Sequence, residues 1–178
     1  LFCKPRSGAG RPLVTITIRE LRRTDRPAIA AMLQQPQFFH IQEMKVALEL
    51  VDETLQKPEQ SHYSFGIAEQ EGEVAGYVCY GSRPMTANTY DLYWICVNPH
   101  RKNAGVGRHL MRFAEERIFA KNGRMIIVET AGREGYRPTR EFYLKLDYKE
   151  EARIRDFYQP GDDMVIYVKR NPGKLTAS

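Results

Sequence analysis

A chain of 178 residues, 42% hydrophobic and 28% charged, is long enough for one domain with its own core and has the composition of an ordinary globular protein. No apolar run approaches a membrane span, and three scattered cysteines (Cys3, Cys79, Cys96) without CxxC spacing argue against a disulfide scaffold. The net charge of +5 is concentrated at the start: residues 1–26 hold seven basic and two acidic side chains and the remainder balances, which is a weak footprint for nucleic acid.

Residues 1–12, LFCKPRSGAGRP, read as a flexible basic leader. They contain no apolar signal-peptide core, so a cytoplasmic protein with free thiols is expected. A single domain is expected over 13–170, with a tail over 171–178. Val14 to Arg19 alternates and predicts a strand. Thr24 or Asp25 can cap a helix, with Pro27 near its first turn, that runs to about Leu33. A loop with the aromatics Phe38, Phe39 and His40 leads to a second helix, Glu43 to Leu55, with Met44, Ala47, Leu48, Val51 and Leu55 on one face. Tyr63–Glu69 and Glu73–Tyr80 are strands joined by the hairpin signal Gln70-Glu71-Gly72. Gly76 inside the second predicts a bulge or the close approach of another backbone.

The most informative stretch is Tyr90 to Ile118. Tyr93, Trp94, Ile95 and Val97 favour a strand, and Asn98-Pro99 ends it. Gly105 and Gly107 lack Cβ atoms and allow close approach to the backbone. Val106, Leu110, Phe113, Ala114 and Ile118 then recur at helical spacing. The open N–H groups and positive dipole end of such a helix attract an anion. No acidic residue occurs between Leu92 and Ala114, while Arg101, Lys102, Arg108 and Arg112 add positive charge, so a pyrophosphate is the guest that fits. An ordinary strand–helix connection with a solvated basic face remains the alternative. The segment lacks the GxxxxGK[ST] of a Walker loop, and Leu110 stands where a Rossmann fingerprint needs its third glycine or alanine.

Lys121-Asn122-Gly123 stops the long helix. Met125–Thr130 predicts a buried strand, Ala131–Arg137 a glycine-containing loop, and Thr139–Leu146 a short helix with Pro138 before it. Tyr148–Tyr158 and Met164–Lys169 are the last two strands, turned by Gln159-Pro160-Gly161-Asp162. The order is β-α-α-β-β-β-α-β-α-β-β, an α+β pattern. His40, His62, His100 and His109 show no metal-ligand spacing, so no metal site is expected.

The turn Lys102-Asn103-Ala104-Gly105-Val106-Gly107-Arg108 resembles the acetyl-CoA loop of the GNAT superfamily of N-acetyltransferases, [QR]xxGxG[AG], directly after a strand. Lys102 stands where glutamine or arginine is usual. The later segment Arg140 to Tyr148 (REFYLKLDY) resembles the superfamily's FYxKxGF stretch, with Asp147 in place of a common glycine. That substitution predicts an altered turn before the next strand. The resemblance covers roughly residues 14–170. It implies the GNAT-like acyl-CoA N-acyltransferase fold, an α/β/α arrangement whose mixed, mainly antiparallel sheet is flanked by helices.

The resemblance also implies acetyl transfer from acetyl-CoA, as co-substrate, to a primary amine of a small molecule, amino acid or peptide. By position, main-chain groups of Ile95, Cys96 and Val97 would hold the pantetheine and acetyl carbonyl, and N–H groups from Lys102 to Arg108 the pyrophosphate. Tyr143 is implied as general acid. Asp91, 14 residues before Gly105, is the candidate base, with Glu129 a lesser one and turn chemistry the bland reading of Asp91. A covalent route through Cys96 is the lesser reading, since small buried cysteines are common. The acceptor would lie between Phe38, Phe39 and His40, the loop Gly132–Arg137, and the last hairpin, where Asp162 and Asp163 are either attractors for a cationic amine or solvated turn residues. The exposed last hairpin suggests a homodimer. Two other readings stay open: a CoA-binding module without turnover, and a nucleic-acid-associated protein using residues 1–26.

Overall fold

The computed structural model describes residues 15–35, 41–101 and 105–174, and the structural statements that follow concern these. In chain order the elements are β1 (Ile16–Arg19), α1 (Arg26–Leu33), α2 (Ile41–Gln56), β2 (Tyr63–Gln70), β3 (Glu73–Ser82), β4 (Thr89–Val97), α3 (Val106–Ala120), β5 (Met125–Ala131), α4 (Arg137–Leu144), β6 (Lys149–Gln159) and β7 (Asp162–Arg170). The predicted order holds throughout. The leader and the loop aromatics Phe38, Phe39 and His40 lie outside the described residues.

The strands form one sheet in the order β1-β2-β3-β4-β5-β7-β6, antiparallel except for the β4–β5 pair. On one face, Ile29, Met32 and Leu33 of α1 and Ala47 and Val51 of α2 bury against Phe65, Ile67 and Tyr77. On the other, Val106, Leu110, Met111, Ala114 and Ile118 of α3 and Tyr143 of α4 bury against Val78, Ile126 and Val165. Both layers follow from the apolar stripes of these helices, since an apolar side chain gains roughly 1.5–3 kcal/mol by full burial.

Turns account for several sequence signals. Glu71 and Gly72 both take positive φ (56° and 80°), the type I′ geometry of a two-residue hairpin. A bulge at Ala75 lies beside Gly76, where an added Cβ would meet the Cys96 carbonyl oxygen of β4 at 2.6 Å, so both halves of that expectation are realised. At the end of α3 the Gly123 N–H reaches Ile118 O (2.9 Å) and the Asn122 N–H reaches Phe119 O (3.1 Å), a Schellman stop with Asn122 at φ 62°.

Two local expectations change. Asp25 precedes α1, but its carboxylate turns away from the helix to Arg19 (2.7 Å) and to the Arg22 N–H (2.7 Å). The helix predicted at Thr139–Leu146 begins two residues earlier, at Arg137, because Pro138 in its first turn has no N–H to leave unpaired.

Beyond α4, Asp147 adopts φ 65°, and the Tyr148 N–H reaches Tyr143 O (3.1 Å). The turn is therefore the left-handed one that glycine favours, kept by an aspartate, and the expectation of an altered turn does not hold. In β6, Ile154 pairs with Met164 but Gln159 with Asp162, so residues 155–158 leave the ladder, with Phe157 and Tyr158 exposed.

An L-residue in left-handed backbone carries a steric cost that glycine escapes. Asp147→Gly should therefore raise unfolding stability by about 0.5–1 kcal/mol in urea titration; a loss of stability would show that the aspartate side chain holds the turn.

Candidate active site

The site begins where the sheet comes apart. β4 pairs with β3 from Tyr90 to Val97, but with β5 only from Thr89 to Asp91, opposite Met125 to Ile127. β5 then follows β7 as far as Ala131. From Leu92 to Val97, the side of β4 turned toward β5 has no neighbouring strand. The parting coincides with a β-bulge: Cys79 faces Trp94 while Tyr80 faces Leu92, leaving Tyr93 unpaired. The bulge reverses the side-chain alternation. Tyr90 and Leu92 pack on the α3 side, as do Ile95 and Val97, while Trp94 and Cys96 pack on the α1–α2 side. All three candidate donor residues pack their side chains in the two cores; the Asn98 N–H bonds Ala75 O (2.8 Å), so alternation turns the Cys96 N–H and C=O to β3 and those of Ile95 and Val97 to the opened edge.

Cys96 is 7% exposed and packed in the α1–α2 core, a setting for a structural rather than a reactive thiol.

The start of α3 lies at the end of that edge. Gly105 takes φ 82° as the residue before the helix, a backbone state that costs other residues energy. The first helical bond is His109 N–H to Gly105 O (3.1 Å), so the N–H groups of Val106, Gly107 and Arg108 have no acceptor in the helix. Gly107 serves a different end. A Cβ there would lie 3.3 Å from the Phe142 ring and 3.6 Å from Val97, so the glycine lets α4 and β4 close on the helix start.

The positive charge there is thinner than the sequence implies. Arg101 turns to Glu71 and Glu73, and Arg112 to Glu116 (2.8 Å). Arg108 is exposed and makes no ion pair among the described residues. Gly105 is exposed too. Lys102, Asn103 and Ala104 lie outside the described residues.

Tyr143 is buried, 4% exposed, among Phe142, Tyr148 and Tyr167 with ring centroids 5.6–5.9 Å away. Burial pushes its phenol well above the usual tyrosine range, so it is protonated at any physiological pH. Its neighbour Phe142 is the ring that touches Gly107. Asp91 belongs to the opposite face, since Tyr90 and Leu92 on either side of it pack toward α3. Both its oxygens contact Arg83 Nε, at 2.9 and 3.0 Å, and Arg83 Nη2 reaches Glu129 at 3.2 Å. The structure therefore sets the candidate acid and the candidate base on opposite faces of the sheet, and Asp91 at the vertex of the parting.

The acceptor-side aspartates are committed elsewhere. Asp162 is buried, accepts the Arg133 N–H (3.1 Å) and pairs with the Arg133 guanidinium (3.5 Å). Asp163 accepts the Asp156 N–H (3.1 Å) and pairs with Arg153 (3.2 Å); these bonds hold its carboxyl below the usual range. Both are hairpin fasteners rather than attractors for a free amine. Arg140 pins the neighbouring loop by donating to Ala131 O (2.8 Å) and Arg133 O (2.9 Å). Sequence reading missed Arg140 and Arg83, because their partners are set by topology and not by spacing. Among the described residues no group of three or more His, Cys, Asp or Glu is arranged to hold a metal ion. None of the described helices is long and apolar enough to cross a membrane.

Comparison with known proteins bears on the family and the fold. A family model described as acetyltransferase (GNAT) family matches residues 17–148. An uncharacterized N-acetyltransferase of Methanocaldococcus jannaschii is 27% identical over 109 residues, covering 61% of this chain and 67% of its own. The crystal structure of a GNAT-family protein from Desulfovibrio desulfuricans is 38% identical, covers 88% of this chain and 99% of its own, and superposes with a TM-score of 0.84. An N-acetyltransferase of Thermoplasma acidophilum, solved in complex with coenzyme A, shares the fold at 17% identity and a TM-score of 0.68, covering 88% of this chain and 99% of its own.

Proposed function

The chain belongs to the acetyltransferase (GNAT) family, and from that premise we propose that it moves an acetyl group from acetyl-CoA directly to a primary amine of a small molecule, amino acid or peptide. The observation that carries this reading is the parting of β4 from β5 beside the open start of α3.

The residues present fit the donor. The edge of β4 offers main-chain groups of Ile95 and Val97, on either side of Cys96, free of strand pairing, and the exposed Gly105 bend offers N–H groups without helical acceptors. In this reading Lys102, Asn103, Ala104, Gly105, Val106, Gly107 and Arg108 bind the pyrophosphate through their backbone, with the Arg108 guanidinium adding charge. Acetyl-CoA, when bound, supplies the acetyl group as a thioester. Main-chain N–H groups of the β4 edge hold its carbonyl oxygen as negative charge develops there. The amine nitrogen bonds to the acetyl carbon as the carbon–sulfur bond breaks. Asp91, directly or through one water, takes the proton the amine sheds. Tyr143, always protonated in its buried setting, donates toward the departing sulfur.

Thiol release across a panel of amines tests the reaction, with calorimetry of acetyl-CoA alongside it. Binding without release from any amine would leave a CoA-binding module. Tyr143→Phe should lower turnover about a hundredfold while acetyl-CoA affinity stays within about threefold; equal loss of both would remove its acid role. Because burial raises the phenol, turnover should show no descending alkaline limb below about pH 10. Gly105→Glu should abolish acetyl-CoA binding, whereas Gly105→Asn, which tolerates the left-handed backbone, should keep most of it. Unchanged affinity in the glutamate variant would overturn the loop assignment.

A further inference from the structure

We infer that Arg83 is a positioning residue of the transfer site: it fixes the Asp91 carboxylate at the vertex where β4 and β5 separate, by clasping one acidic side chain on each strand. The inference rests on the reading of Asp91 as the proton acceptor and adds a residue to it.

The geometry is specific. Arg83 follows the last residue of β3, and its backbone is pinned: its N–H donates to Thr89 O (2.8 Å) and its carbonyl accepts from Thr86 Oγ1 (2.8 Å). From that fixed root Nε donates to Asp91 Oδ2 (3.0 Å) and lies 2.9 Å from Oδ1, which seats the carboxylate against the guanidinium. Nη2 of the same guanidinium reaches Glu129 at 3.2 Å. Asp91 is the last β4 residue paired to β5, opposite Ile127, and Glu129 follows Ile127 by two positions, on the same face. One cation therefore bridges the two strands immediately before they diverge.

Electrostatics explain why a cation is required there. The Asp91 side chain is 13% exposed, so its charge is only partly hydrated. Without Arg83 that carboxylate and Glu129 would face each other uncompensated across the vertex and repel. The Asp91 side chain would then rotate toward solvent, away from the amine it is to deprotonate. A guanidinium suits the task better than an ammonium, because a planar fork contacts two carboxylates at fixed angles. The side chain is 40% exposed, so it is a clasp at the cleft surface and not a core ion pair.

The test is a double-mutant cycle on the full-length chain, read by steady-state kinetics, calorimetry of acetyl-CoA and thermal melting. Arg83→Met should lower kcat about tenfold or more and leave acetyl-CoA affinity within about twofold, and Arg83→Lys should recover part of the loss. If Arg83 acts through Asp91, the pair Arg83→Met with Asp91→Asn should be no slower than Asp91→Asn alone. Multiplying losses in the double variant would overturn the proposal and leave Asp91 as base intact. Parallel losses of kcat and acetyl-CoA affinity in both Arg83 variants would also overturn it, by showing a structural clasp only. An Asp91→Asn variant with full kcat would remove the base assignment itself, and the positioning role with it. Should Arg83→Met fail to fold, Arg83→Lys paired with Asp91→Asn carries the same comparison.

Discussion

The structure depends on a sheet that is interrupted on one side of one strand. β4 keeps its full ladder with β3 and loses β5 after Asp91. The bulge at Tyr93 comes two residues past the last β4–β5 pair, and a bulge bends and twists its strand. β5 meanwhile is held on its other side by β7 along its whole length, so it cannot follow. The opened edge carries peptide groups that no strand satisfies, and unsatisfied backbone is costly unless water or a ligand takes its place. The proposed donor site rests on those backbone groups. The side chains of Ile95, Cys96 and Val97 are left to pack.

Much of this was legible in the sequence. The stripes of α2 and α3 repeat at helical spacing, and the hairpin at Glu71-Gly72 follows from residues that accept positive φ. The glycine bend before α3 was visible as a motif. Its two glycines, however, proved to have unlike reasons: Gly105 satisfies a backbone angle, and Gly107 makes room for the Phe142 ring. No local pattern could separate them, because Phe142 lies far along the chain and meets Gly107 only through the packing of α4.

What the sequence hid is mainly where charges go. Arg101, near the bend, pairs with Glu71 and Glu73 on the β2–β3 hairpin, and Arg112 pairs along its own helix. Asp162 and Asp163, adjacent at the start of β7, fasten Arg133 and Arg153. Arg83 gathers Asp91 and Glu129, the second of them 46 residues away in sequence. A count of basic and acidic residues cannot reveal such pairings, since all but the Arg112–Glu116 pair join residues that the topology brings together. The positive field expected at the phosphate turn therefore narrows, among the described residues, to Arg108 and the helix start itself.

The hairpin of β6 and β7 closes the far side of the sheet, and its form governs how the molecule meets others of its kind. An outer strand is a template on which a stranger can polymerise. Here residues 155–158 step out of line, and the segment before them bears Lys149, Glu150, Glu151 and Arg153. An incoming chain would lose hydrogen-bond phase partway along and confront mixed charges before that point. The irregular border thereby works as a guard against fibrillar growth.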